Sequence, residues 1–372
     1  MITEQEVTRQ QAGEAVRLKG IDYIELYVGN VPQAAHFYRT AFGFTPVAYA
    51  GLETGERDRL SVALRQNDVR LLLTSGLTPD GPVAAHVNRH GDSVKDIAFA
   101  VDDAEAVFEA AVSRGARPVA EPEALEDEQG RVVRASVAAF GDTVHSFVER
   151  ADFGGPFLPA YRPVERAPAA APAGLLAIDH VAVSAEAGTL DRWVDFYETV
   201  FGFAQTHEEE VETEYSAMNS KVVQNRGGSV KFPIVVPASG KRRSQVDEYL
   251  TFHGGAGAQH VALSTDSITR AVRTLRANGI EFLKTPGSYY DLLEKRLGKM
   301  LAEDEAELRE LNILADRDAH GYLLQIFTRH VQSRPTVFWE IIQREGAVGF
   351  GGGNIKALFE AMEREQALRQ TL

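Results

Sequence analysis

The feature that most constrains this chain is that it is written twice, and that each half is written twice again. IDYIELYV (21–28) followed by AAHFYRTAFGF (34–44) returns as IDHVAVSA (178–185) followed by RWVDFYETVFGF (192–203). HGDSVKDIAFAVDDAEAVFEAAVSRGARPV (90–119) returns as HGGAGAQHVALSTDSITRAVRTLRANGIEFL (253–283). Each copy predicts a strand, an amphipathic helix closed by glycine, and a further strand. Short β-like runs follow, LSVALRQ and VRLLLTS in the first unit, YSAMNSKVV and VKFPIVV in the third. The unit reads βαβββ, four times. One such unit has too little core to stand alone, so the copies must pack on one another. An α+β fold with two barrel-like domains is the expectation. The Pro- and Ala-rich stretch LPAYRPVERAPAAAPAG (158–174) predicts a linker between a half at 1–157 and a half at 175–372.

The repeat lets one half act as a control for the other. Aligned segment by segment, IDY on IDH, HGDSVKDI on HGGAGAQH and TVHSF on TVFWE, the halves set Tyr23 against His180, Ile97 against His260 and Phe147 against Glu340. Polar groups in the second half thus face bulkier or apolar ones in the first. Glu340 lies in TVFWEIIQR, a strand whose faces (Val337, Trp339, Ile341 and Phe338, Glu340, Ile342) both read as buried. A lone ionised carboxylate there is costly unless it is protonated, paired or bound to a metal. The chain has no Cys, so metal ligands are restricted to His, Asp and Glu. Two imidazoles and a carboxylate match the facial triad of non-haem Fe(II) oxygenases, and a zinc hydrolase could use similar ligands. A single strand His is more often a hydrogen-bonded core residue; the joint contrast at three positions favours a site. His36, His86, His90, His145, His207, His253, His320 and His330 lack that contrast and read as structural or surface groups.

A net charge of −14 argues against a nucleic-acid surface. The start MITEQEVTRQQAGEAV is polar and carries no apolar core of the kind a signal peptide needs, and no stretch is long and apolar enough for a membrane span. A cytoplasmic protein is expected.

At GAGAQHVAL, DRDAHGYLLQIFTRHVQSRPTVFWEIIQR and GFGGGNIKALFEAMEREQ the chain resembles the 4-hydroxyphenylpyruvate dioxygenase family of the vicinal oxygen chelate superfamily. The resemblance extends over nearly the whole chain. It implies that His180, His260 and Glu340 hold Fe(II), with O2 as co-substrate. Catalytic positions carried over by it are Ser220, Gln245, Gln259, Gln325 and Asn354; substrate-binding positions are Val235, Phe327, Phe338, Phe350, Ile355 and Leu358. The final helix would be a lid. The implied substrate is a small aryl 2-oxo acid whose own keto acid chelates the iron, so no separate 2-oxoglutarate is needed, and the implied assembly is a homo-oligomer. Two products occur in the family, homogentisate and 4-hydroxymandelate. PIVVP (233–237) where homogentisate-forming enzymes read PINEP, and GGNI where they read GNF, look like the hydroxymandelate synthase branch, as do AMNS (217–220), AEAGTL (185–190) and TPGSYYDLL (285–293). Pro233, GYLLQIF and VQSRPT stay close to the homogentisate-forming pattern. A non-catalytic aromatic-ligand-binding protein of the same fold is the rival from another class.

Overall fold

Alternating and fully apolar runs become strands, and the FGF signal becomes a helix stop in both halves. In the first unit, β1 (Gly20–Tyr27) leads to helix α1 (Val31–Phe42), then β2 (Thr45–Ala50), β3 (Arg59–Gln66) and β4 (Val69–Gly76). The Asn30 side chain caps α1 by accepting from the Gln33 amide, and Gly43 ends it at φ 78°. A side chain at Gly43 would be strained by that backbone and would also press on the Ala171 carbonyl. The second unit follows a helix α2 (Pro82–His90) and comprises β5 (Ser93–Ala100), α3 (Ala104–Ser113), β6 (Pro118–Asp127), β7 (Gly130–Ala138) and β8 (Val144–Glu149). A two-residue strand β9 (Arg162–Pro163) pairs with β2, so part of the stretch expected to be linker extends the first sheet.

The third unit is β10 (Leu175–Ser184), α4 (Leu190–Phe201), β11 (Ala204–Glu212), β12 (Ala217–Gln224) and β13 (Lys231–Ala238). After α5 (Gln245–His253) the fourth begins with β14 (Gly257–Thr265) and α6 (Ile268–Ala277). Three short helices then intervene, α7 (Gly287–Tyr290), α8 (Leu293–Leu297) and α9 (Glu305–Leu311). The unit ends in β15 (Leu314–Arg317), β16 (Tyr322–Phe327) and β17 (Phe338–Glu345), and the chain in α10 (Gly352–Leu368). This computed structural model describes residues 16–165, 171–298 and 301–369; the polar start through residue 15 lies outside them.

The strands form two curled sheets, ordered β6-β7-β8-β5-β1-β4-β3-β2-β9 and β11-β12-β13-β10-β14-β17-β16-β15. In each, the first strands of paired units run antiparallel at the centre. One apolar core is continuous across both halves. Trp339 belongs to it, with its ring 5.6 Å from Tyr38 and 5.6 Å from Phe42 of the first half. The role of Trp339 is therefore packing between halves. His145 joins them too, its Nε2 lying 2.8 Å from the Tyr197 hydroxyl. No described helix is long and apolar enough to cross a membrane.

Strand register corrects the segment-by-segment comparison of the halves. Tyr23 pairs with Ala98 as His180 pairs with Ala262, and both β1–β5 and β10–β14 break register at matching places, Ile21/Tyr23 with Ile178/His180 and Glu25/Leu26 with Ala182/Val183. Two residues before those alanines stand Asp96 and His260. Asp96 pairs with Val144 and Phe99 with Phe147, which puts Ser146 beside Ala98, as Glu340 lies beside Ala262. The counterparts of His260 and Glu340 are Asp96 and Ser146, not Ile97 and Phe147. The expected matches failed because the second half is one residue longer in both places, between HG and His260 and between TV and Glu340.

Candidate active site and metal centre

Central strands position the three candidate ligands: His180 on β10, His260 on β14 and Glu340 on β17. All three are buried, and they form the one group among the described residues whose ligand atoms could jointly hold a metal ion. His180 Nε2 lies 3.2 Å and His260 Nε2 3.3 Å from the same oxygen, Glu340 Oε2. Ligands about 2.1 Å from an ion and set at right angles stand roughly 3 Å apart, so these spacings fit an octahedral cation of that size.

The other ring nitrogens are committed elsewhere, which leaves both Nε2 atoms facing inward. His180 Nδ1 is 2.8 Å from Asp179 Oδ1, and Arg344 grips Asp179 through Nε and Nη2 at 2.8 and 2.9 Å. His260 Nδ1 is 3.3 Å from Gln259 Oε1, and the Gln259 amide donates to Gln245 at 2.9 Å. Such outer partners orient metal-binding imidazoles. Burial opposes ionisation of Glu340, yet the two imidazoles outweigh it and bring its carboxyl down to about 2. Burial likewise lowers His260, whereas for His180 the Glu340 and Asp179 carboxylates overcome burial and raise it. Glu340 is an anion held ready for a cation. Its second oxygen is taken: Gln325 Nε2 donates to Oε1 at 2.8 Å.

Beside the triad opens a cavity whose empty space, open solvent included, is about 580 Å³. Ser220, Val235, Gln245, Gln259, Gln325, Phe327, Phe350, Ile355 and Leu358 all line it, so most of the pocket positions named from the sequence converge. Phe338 and Asn354 do not. The Phe338 ring packs on the His260 imidazole at 4.9 Å and on Phe327 at 6.2 Å, which supports a ligand instead of forming the wall. Asn354 is fully buried one hydrogen bond further out, its amide donating to Gln325 Oε1 at 2.8 Å. Met218, Val222 and Phe359 also line the cavity. Asp179 and Arg344 were missed as well; Asp179 stands next to His180 in the quoted IDH, and that adjacency was the available signal.

Helix α10 closes one side. Ile355, Leu358 and Phe359 face the cavity from it, while Glu363 accepts from Thr213 and from Ser216, and Arg369 pairs with Glu248. Asp316 Oδ2 accepts from the Gly353 and Asn354 amides at its first turn, where a carboxylate also suits the helix dipole.

Comparison with known proteins agrees with this geometry. The profile of the glyoxalase/bleomycin resistance protein/dioxygenase superfamily matches residues 20–144 and 177–326. The 4-hydroxyphenylpyruvate dioxygenase of Yarrowia lipolytica is 44% identical, over 95% of this chain and 94% of its own. That of Xenopus tropicalis is 42% identical over 96% and 93%. Among solved structures, a mutant of 4-hydroxymandelate synthase from Streptomyces coelicolor superposes with a TM-score of 0.86 at 42% identity, covering 94% of this chain and 99% of that one.

Proposed function

The chain belongs to the 4-hydroxyphenylpyruvate dioxygenase family of the glyoxalase/bleomycin resistance protein/dioxygenase superfamily, and from that premise we propose that it is an Fe(II)- and O2-dependent enzyme converting 4-hydroxyphenylpyruvate to 4-hydroxymandelate and CO2. The three facing, buried donors support the metal site at His180, His260 and Glu340. Bound there, Fe(II) supplies a Lewis-acidic, redox-active centre at which a 2-oxo acid and O2 can be brought together.

This chain's residues supply placement. Gln325 occupies one oxygen of Glu340, so the carboxylate offers a single oxygen inward and leaves coordination positions for substrate. Phe327, Phe350 and Leu358 give the aryl ring apolar walls and exclude water. Gln245 accepts from Gln259 through its carbonyl, so its amide, which meets the Met218 sulfur only at 4.0 Å, remains to be offered to a polar group of the substrate. Reaction outcome follows from which carbon these walls hold toward the metal.

One observation carries the choice of product. Val235 on β13 and Ile355 on α10, far apart in sequence, join Met218 and Phe359 in one apolar cluster on the cavity wall. Neither offers an amide nor a flat ring to hold the aryl group, which leaves it free to tilt and present its benzylic carbon. Homogentisate formation is the second reading, favoured by the names of the relatives from Yarrowia and Xenopus.

The test begins without oxygen: the iron-loaded protein with 4-hydroxyphenylpyruvate should develop a visible charge-transfer band, and its absence refutes the proposed chelation. Admitting O2 should release CO2 and one aromatic acid. The two candidate products are isomers, so chromatography against authentic standards decides between them. Ile355→Phe combined with Val235→Asn should raise the share of homogentisate; an unchanged ratio would discredit these two positions.

A further inference from the structure

The inserted helix α7 carries Tyr289, which no βαβββ repeat predicts and which reaches the candidate metal centre through three hydrogen bonds. Its hydroxyl lies 2.7 Å from Asn354 Oδ1; the Asn354 amide donates to Gln325 Oε1 at 2.8 Å; the Gln325 amide donates to Glu340 Oε1 at 2.8 Å. Polarity along this chain is fixed from its inner end. An ionised carboxylate only accepts, so Gln325 must turn its NH2 to Glu340 and its carbonyl to Asn354. Asn354 must then turn its NH2 to Gln325 and its own carbonyl outward, where it needs a donor. The Tyr289 proton is the donor in reach.

Two neighbours keep that proton available. The Tyr289 oxygen accepts from the Ala315 amide at 2.9 Å, and the Ala315 carbonyl, a competing acceptor 2.8 Å from the hydroxyl, receives Arg296 Nη2 at 3.1 Å. Arg296 also lies 4.9 Å over the Tyr289 ring and 3.5 Å from Asp316, the carboxylate that caps α10. The middle link, Asn354, is itself a first-turn residue of α10. The outer end and the middle of the relay therefore depend on where α10 sits.

The geometry points to Tyr289 as a positioning residue: through Asn354 and Gln325 it holds Glu340 with one oxygen turned away from the metal, and it does so only when α10 is closed. This rests on the proposed metal role of Glu340. Closure of the last helix and single-oxygen ligation are then one event, and an open α10 leaves Glu340 free to swing or to bind through both oxygens. Tyr289 touches neither substrate nor metal.

The experiment compares Tyr289→Phe, Asn354→Ala and their double variant with Tyr290→Phe, which removes a neighbouring hydroxyl outside the relay. Co(II) affinity of the metal-free protein is measured by titration without substrate, beside a chemical unfolding curve for each variant. Y289F should weaken Co(II) about fivefold, less than the roughly 10- to 100-fold expected when a direct partner of a ligand is lost. Y290F should stay near wild type. The double variant should bind no worse than N354A alone, because both cut the same chain. Exchange of the amides at 353–358 should be faster in Y289F. Unchanged Co(II) affinity in Y289F, an equal loss in Y290F, or additive losses in the double variant would each overturn the relay. These readings need no turnover, so failure of the proposed reaction would show separately: Co(II) would bind tightly while the Fe(II)-loaded protein left 4-hydroxyphenylpyruvate unconsumed in O2.

Discussion

Both halves of this protein place a polar constellation at the same point of a curled sheet, and they neutralise it differently. In the second half, His180, His260 and Glu340 turn three donor atoms toward one another, with neither Lys nor Arg in the group. In the first, Tyr23 and Ser146 donate to Asp96 Oδ2 at 3.2 and 2.6 Å, and Arg134 Nη2 donates to it at 3.0 Å. Arg134 pairs with Val148 on β8 as Gln325 pairs with Ile342 on β17, so it occupies the Gln325 position. One half supplies its own guanidinium; the other leaves a place for an ion from solution. The comparison teaches that a copy without the triad need not be filled with hydrocarbon, since a buried carboxylate with a tethered cation and hydroxyl donors is already satisfied.

The largest expected difference is in turnover. Glu340→Gln removes the anionic donor and should lower activity well beyond the roughly 100-fold that losing an outer partner costs, together with metal affinity. Asp96→Asn at the matching position should leave turnover of the folded protein unchanged; steady-state kinetics on metal-loaded samples checks both. Next comes stability. Asp96→Ala leaves Arg134 without its counter-ion and should cost about 3 kcal/mol in urea unfolding, at the low end for a broken buried pair because Arg134 is one-third exposed. A loss in activity per folded molecule would break the division of labour.

Acid should loosen the junction of the halves. Burial holds His145 down to about 4, while the unfolded chain titrates it near 6.5. As pH falls below about 6.5 the unfolded state binds a proton that the folded state refuses, so the stability His145 contributes is present above 6.5 and lost toward 4. Between pH 7 and 5 this amounts to about 2 kcal/mol, and His145→Gln should flatten the profile of unfolding free energy against pH by that amount. The smallest effect belongs to Trp339→Phe, which loses part of the packing on Tyr38 and Phe42: about 1 kcal/mol, with kcat unchanged.

The four units were legible because each repeats a periodicity and a stop signal that local physics dictates, such as the glycines ending α1 and α4. Glu340 was legible because a carboxylate among Phe338, Trp339 and Ile341 violates the pattern around it. The counterparts of His260 and Glu340 were misread, since register depends on strand pairing, and a one-residue difference after each shared anchor, HG and TV, displaces the match. Phe338 was assigned to the substrate wall because its sequence neighbourhood says nothing about whether its ring meets the cavity or the back of His260. Tyr289 lay hidden for another reason. It sits on an insertion present in one copy alone, so no internal comparison could single it out.

The register breaks shared by β1–β5 and β10–β14 have a practical consequence. Because both halves kink their backbones at the same steps, the direction in which side chains project is a property of the scaffold and was settled independently of what they hold. Placing a metal site in the amino-terminal half is thus a problem of choosing four side chains, at 23, 96, 134 and 146.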